Sequence, residues 1–198
     1  MTTRLEELGV VIESGSVISR VQVNDDSEDK LKVKVIVPKA LAGEINEELL
    51  DEIYVDAKTY DTGKIKITAA NDVVMKLTTP YDVGYVHEEQ GGLVVSSHCV
   101  VIRLKDGSKL DGKFLAYLLN SPYAKDYFRS VTSGASTVMV KVKDIAGLPV
   151  PEVPMEEQVQ LGEIFDAFSR KKVLLAQMID AETAAENSLI MGALEGRL

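Results

Sequence analysis

The sequence predicts an α+β protein: a mostly β body with small helices packed on it over residues 1–152, followed by one long C-terminal helical arm over residues 153–198. Three observations carry this reading. Aliphatic and alternating runs crowd the first half of the chain. Prolines at 149, 151 and 154 exclude helix and central strand from the segment that holds them. From residue 155 to about 194 there is no proline, and the only glycines are Gly162 and Gly192.

Taken in order, residues 10–12 form a short apolar segment running into the Glu13-Ser14-Gly15-Ser16 turn. Residues 32–38 alternate as a half-buried strand, after a solvated loop at 24–29. Ile45, Leu49 and Ile53 are four apart, which predicts one face of a short helix or turn whose other face is acidic. Residues 64–67, 72–77, 93–95 and 99–104 read as strands, so β-structure dominates the centre. Beyond the Asp106-Gly107 turn, residues 112–119 and 123–131 read as helices, with Ser121 the N-cap of the second and Pro122 at its first position. Residues 138–142 predict a further strand and residues 148–154 an extended exit. The arm is then one helix of about 35 residues. Its apolar positions Leu161, Phe165, Phe168, Leu175, Ile179 and Leu189 fall at three-four or multiple-of-seven spacings, as in a coiled coil. Lys172, Glu182 and Glu186 share that frame, so the seam is imperfect.

Composition narrows the function. A chain of 198 residues holds one ordinary domain plus an appendage. With 45% hydrophobic and 27% charged residues and no long apolar run, it reads as a soluble protein without a membrane role. The first residues lack the order of a signal peptide and Cys99 is the single cysteine, so a cytoplasmic location is expected. The net charge of −9 argues against nucleic acid at first sight. Its distribution does not: residues 1–99 carry 10 basic against 18 acidic side chains, residues 103–143 carry 8 against 3, and residues 144–198 carry 4 against 10. A local basic excess sits on an acidic chain.

Catalytic chemistry is poorly supplied. His87 and His98 are eleven apart with only Cys99 beside them, which fits no zinc-ligand spacing and no nucleophile signature. No phosphate loop or dinucleotide fingerprint is present, and Gly91-Gly92 reads as a turn. The carboxylates lie mostly in solvated runs, and Cys99 sits in an apolar run as a core thiol. No catalytic residue, metal ligand or cofactor is expected.

An ordered set of motifs lies between residues 112 and 158. It comprises Gly112-Lys113-Phe114-Leu115-Ala116-Tyr117-Leu118-Leu119-Asn120-Ser121-Pro122-Tyr123, then Ser133-Gly134-Ala135-Ser136-Thr137, Val142-Lys143-Asp144-Ile145, Leu148-Pro149-Val150-Pro151 and Pro154-Met155-Glu156-Glu157-Gln158. This set resembles the end of a target-recognition domain in the DNA specificity subunits of type I restriction-modification systems. Asp72-Val73-Val74-Met75 and Val95-Ser96-Ser97-His98 extend the resemblance more loosely upstream.

The resemblance implies a non-catalytic subunit that recognises double-stranded DNA and directs a methyltransferase or restriction complex to its target. In the family, two recognition domains separated by long helices each read half of a bipartite target, while the helices set the spacing and bind modification subunits. One domain with one arm implies a half-subunit, with a modification (methyltransferase) subunit and a restriction subunit as partners. Antiparallel pairing of the arm through Leu161, Phe165, Phe168, Leu175, Ile179 and Leu189 would make it a homodimer on a two-fold symmetric target. Candidate DNA contacts beside the family motifs are Lys76, Thr78, Thr79 and Tyr81, and Ser133, Ser136, Thr137, Lys141 and Lys143, with Lys125 and Arg129 four apart on one helix. Lysines and hydroxyls suit phosphates better than base edges. Two alternatives remain at this stage: an orphan or truncated module that binds a modification subunit without engaging DNA, and an unrelated enzyme with a β-rich body.

Overall fold

A computed structural model describes residues 1–132 and 139–195, with Asp61 described by its backbone alone. In chain order the strands are β1 (Thr2–Arg4), β2 (Val10–Ser14), β3 (Lys30–Ile36), β4 (Asp51–Asp56), β5 (Val73–Lys76), β6 (Val83–Tyr85), β7 (Val94–Val95), β8 (Cys99–Leu104) and β9 (Pro149–Pro151). The helices are α1 (Ile18–Val21), α2 (Ala57–Asp61), α3 (Gly112–Asn120), α4 (Pro122–Thr132), α5 (Val142–Ala146) and α6 (Met155–Leu194).

The centre is a four-stranded sheet in the order β2-β8-β5-β6, with every neighbour antiparallel. Its middle strands are apolar on both faces because both faces are covered. Val73, Met75, Val100 and Ile102 point into a core shared with Phe114, Leu115 and Leu119 of α3 and Phe128 of α4. Val74, Cys99 and Val101, one residue out of phase, point the other way against Ile36, Leu41, Ile45, Val86 and Val95. The two-residue period of a strand thus serves two cores at once. A three-stranded sheet, β4-β3-β7, buries Val33, Val35, Ile53, Val55, Ile65 and Val94 in a third cluster.

Local signals set the helix starts. The Asp111 carboxylate accepts from Phe114 N at 2.9 Å and caps α3. Ser121 Oγ accepts from Ala124 N at 3.3 Å, and Pro122 opens α4 where its missing N–H costs nothing. β9 pairs antiparallel with β1 in a two-stranded sheet, with Pro151 opposite Thr2 and Pro149 opposite Arg4. Both strands are edges there, which is why the prolines are tolerated. This pairing ties the start of the chain to the point where α6 leaves the body.

Three local expectations are corrected. Ile53 belongs to β4, not to a helix face: it opposes Val33 in the β3–β4 ladder, and only Glu47–Leu49 forms a single 3-10 turn, capped by Asn46. Residues 64–67 form no strand; Ile67 makes one isolated bridge to Val94 while Ile65 is buried. In the stretch predicted as a strand over 138–142, Met139 makes one bridge to Thr78, and Val142 already opens α5. There the Asp144 carboxylate accepts from Lys141 N at 3.2 Å, a local bond that turns the chain into helix. The arm helix spans Met155–Leu194, the proline-free stretch from which the sequence predicts it.

Candidate nucleic-acid interface and the helical arm

Three segments remote in sequence lie side by side where β5 ends. Leu77 N donates to His98 O at 3.0 Å, and Val140 N donates to Leu77 O at 2.9 Å. The Thr78–Met139 bridge continues the second pairing. These bonds bring the 78–79 turn and residues 139–143, two of the sequence's candidate regions, into one neighbourhood. Thr79, Lys141 and Lys143 are exposed and Thr78 is half-buried. His98, just before β8, is exposed beside them. The sequence offers His98 as a poorly supported ligand or base and as the end of a loose family match; its backbone pairing with Leu77 is what places it here. Ser133, Ser136 and Thr137 lie outside the described residues.

Two candidates are placed otherwise. Tyr81 is a core residue, 1% exposed, so its side chain is withdrawn from any interface. Its ring stands edge-on to Phe128 at 5.7 Å, and its hydroxyl lies 3.1 Å from Thr132 Oγ1. Lys76 is mostly buried, and its ammonium lies 2.7 Å from the Asp82 carboxylate, which Lys125 meets from the other side at 2.8 Å. Burial pushes the Asp82 carboxyl upward, but hydrogen bonds from Lys125 and Lys76 prevail and hold it below the ordinary range. Two lysines on one carboxylate leave a net positive node, held rather than free. Arg129 pairs with Asp126 on its own helix.

The arm has two parts. Its first turns dock on α3: Leu161 packs on the main core, and Phe165 stacks on Tyr117 with ring centroids 4.6 Å apart. The Tyr117 hydroxyl donates to the Phe165 carbonyl, and Ser169 Oγ donates to Gly43 O at 3.3 Å. Leu161 and Phe165 are thereby corrected: they face this chain's own body and are not free for a partner helix. Phe168, Leu175, Ile179 and Leu189 remain exposed, as do Leu174, Met178, Ile190 and Met191. Beyond Val173 every described residue of the helix is exposed but for a half-buried Gly192, with Ala176, Gln177 and Asp180 facing Glu44, Asn46 and Glu48 across an open cleft.

The histidines and the cysteine have structural settings. His87 Nε2 lies 3.6 Å from an Asp166 carboxylate oxygen, and its ring stands edge-on to Tyr85. Burial pushes the Cys99 thiol up to about 11, against a small opposing bond from Ser96. Among the described residues, no three His, Cys, Asp or Glu side chains are grouped to hold a metal, and no helix is long and apolar enough to cross a membrane.

Comparison with known proteins bears on the family and the fold. The family model described as "Type I restriction modification DNA specificity domain" matches residues 2–182. A search of curated proteins gave no match. Among solved structures, the chain is similar to one described as the basis of complex assembly and conformational transition of the type I R-M system, at 18% identity and a TM-score of 0.62, covering 98% of this chain and 48% of that one. It is similar to the HsdS subunit from Thermoanaerobacter tengcongensis, at 19% identity and a TM-score of 0.62, covering 98% and 47%. It is similar to the type I restriction-modification S subunit from M. genitalium, at 13% identity and a TM-score of 0.61, covering 96% and 44%. The chain thus spans about half the length of the structures it matches. The α+β body with its long terminal helix is the fold of those subunits, and the chain belongs to the type I restriction-modification DNA specificity domain family.

Proposed function

We propose that this chain is a DNA-recognition subunit of a type I restriction-modification complex, contributing one recognition body and one arm. Double-stranded DNA is met by Thr78, Thr79, Lys141 and Lys143, with Ser133, Ser136 and Thr137 as further contacts from the intervening segment. Phe168, Leu175, Ile179 and Leu189 meet the arm of a second copy. A modification subunit supplies methyl transfer and a restriction subunit any cleavage, while this chain binds without turnover in the cytoplasm. The observation that carries the reading is the convergence of the 78–79 turn with residues 139–143 through Leu77 and Val140, which collects hydroxyls and lysines suited to phosphates.

Light scattering of the purified protein, alone and with short random-sequence duplex, at low and moderate salt, tests this. A dimer that gains DNA mass at low salt and loses it at moderate salt is expected. A strict monomer that ignores DNA, and whose complex with a modification subunit also lacks DNA affinity at low salt, would replace the reading with that of a protein-interaction module.

A further inference from the structure

Of α6, Gln158, Gly162 and Asp166 are buried, and they stand four residues apart on one face of the helix. At Gly162 the helix touches the start of α3 directly: a Cβ there would lie 2.8 Å from Asp111 Oδ1 and 3.1 Å from Phe114 N. A contact between backbones fixes the distance between two helices and leaves the angle between them open. The polar residues on either side close that freedom. Gln158 accepts from Asp111 N at 3.0 Å and donates to Lys109 O at 3.0 Å and Val153 O at 2.9 Å.

Asp166 is only 8% exposed, and it faces two cations and an imidazole from three elements. Arg170, on its own helix, lies at 3.0 Å, Lys113 of α3 at 3.6 Å, and His87, after β6, at 3.6 Å. Glu163 draws Lys113 into the same place at 2.6 Å. Glu44 also faces this node; burial pushes its carboxyl upward, and the Asp166 charge adds to that. Rotation of the arm about Gly162 moves Gln158 and Asp166 in opposite directions, so it breaks the bonds of Gln158 to Asp111 and Lys109 together with the contacts of Asp166 to Lys113 and His87, and leaves Asp166 only Arg170 of its own helix.

We propose that Gln158 and Asp166 are positioning residues that lock the direction of the arm about a pivot at Gly162, and that in the dimer this lock sets the separation of the two DNA half-sites. The second half of this statement rests on the function proposed above. The lever is long: from Gly162 to Leu194 the helix runs about 48 Å at 1.5 Å per residue. A rotation of about 10° carries its tip about 8 Å, more than two steps of 3.4 Å along DNA.

Two readouts test the two halves. In the first, spin labels on Asp106→Cys and Glu182→Cys, in protein diluted with an excess of unlabelled chain, report the body-to-arm distance within one molecule. One narrow distribution is expected for the parent. Asp166→Ala should broaden or shift it by several ångströms, Gln158→Ala combined with Asp166→Asn should broaden it further, and Asn187→Ala on the exposed arm should leave it unchanged. Superimposable distributions for the parent and the folded Asp166 and Gln158 variants would overturn the lock; Asp166→Asn alone serves if Asp166→Ala does not fold. In the second, selection from duplexes with two half-sites at variable spacing should give one spacing for the parent and a spread of neighbouring spacings for Asp166→Asn. A single unchanged spacing would overturn the link to half-site separation. A parent that selects no duplex would refute the DNA reading and leave the lock to the distance measurement.

Discussion

The Tyr81 hydroxyl lies 3.1 Å from Thr132 Oγ1 inside the core, where it joins the turn before β6 to the last turn of α4. Thr132 in turn donates to Phe128 O at 2.7 Å, so the tyrosine is the donor to Thr132. Tyr81→Phe removes one buried hydrogen bond and should cost about 1 kcal/mol. Tyr81→Ala also empties a core site and should cost about 3–5 kcal/mol. Urea denaturation measures both, and Tyr81→Phe should leave DNA affinity at the parent value. Weakened DNA binding with unchanged stability would return Tyr81 to the interface.

Asp82 makes stability depend on acid. Its carboxyl is held below 3.8 in the folded protein by Lys125 and Lys76, while in the unfolded chain it titrates near its ordinary value. The folded state therefore binds fewer protons, and the stabilisation is complete above about pH 4 and lost as pH falls through the lower, folded value. Asp82→Asn leaves two mostly buried ammonium groups without their counter-ion and should cost about 1.5–3 kcal/mol at pH 7. The gap between parent and variant should begin to narrow below about pH 3.8 and go on closing as pH falls through the lower, folded value, as thermal melts across pH would show. A gap that does not narrow at all below about pH 3.8 would mean that the carboxamide fails for a reason other than charge.

These residues show what was and was not legible in the sequence. β2, β5 and β8 of the central sheet, the cap at Ser121, the proline exit and the arm all carry local signals, because a period of two, a capping side chain or a missing N–H is written within a few residues; β6, three residues long, carries too little pattern to be read. Ile53 misled because a four-residue spacing with Ile45 and Leu49 resembles a helix face, while its real partner is Val33 across the ladder. The Thr78-Thr79-Pro80-Tyr81 stretch declares a turn but not which side chain points inward. Heptad spacing placed Leu161 and Phe165 on the seam with Leu175 and Ile179, yet the body covers the first two. Gln158 is legible only as the end of a family motif and Gly162 only as a helix glycine; that they share a buried face with Asp166 is not, since polar residues four apart on a helix read as a solvated face until α3 is set against them.

Lys141 and Lys143 are exposed, so their loss should act on DNA and not on folding. Each lysine that neutralises a phosphate contributes about 0.9 to the slope of log affinity against log salt. Lys141→Glu with Lys143→Glu should lower that slope by about 2 and leave the melting temperature unchanged. Fluorescence anisotropy with a random-sequence duplex over a salt series reads the slope. An unaltered slope would place the phosphate contacts elsewhere on the body.

Cys99 is fully buried, and burial holds its thiol at about 11. At pH 8 only about one molecule in a thousand carries the thiolate, the form that attacks disulfides. Native protein should therefore show no reaction with an aromatic disulfide reagent, and one equivalent should react once denaturant unfolds the body. Rapid reaction in the native state would show that the sheet opens at β8.

The arm should separate two kinds of apolar residue that the sequence does not distinguish. Leu174, Leu175, Met178 and Ile179 lie within six residues, and the most exposed of them, Ile179, is 66% exposed. A continuous apolar surface of this kind on a bare helix marks an interface rather than ordinary solvated surface. Burying each side chain against a second arm recovers about 1.5–3 kcal/mol, whereas a glutamate at its centre must be desolvated without a partner. Leu175→Glu with Ile179→Glu should therefore shift the protein to a monomer by light scattering while the body melts unchanged. Leu161→Ala and Phe165→Ala should do the reverse, because Leu161 packs on the main core and Phe165 stacks on Tyr117 of α3: each side chain is half-buried, and its truncation should lower body stability by about 1–2 kcal/mol. The monomer–dimer balance should respond less to these two than to the glutamates. A parent protein that is monomeric at all concentrations would show that the exposed stretch serves a different chain, with a modification subunit the first partner to test.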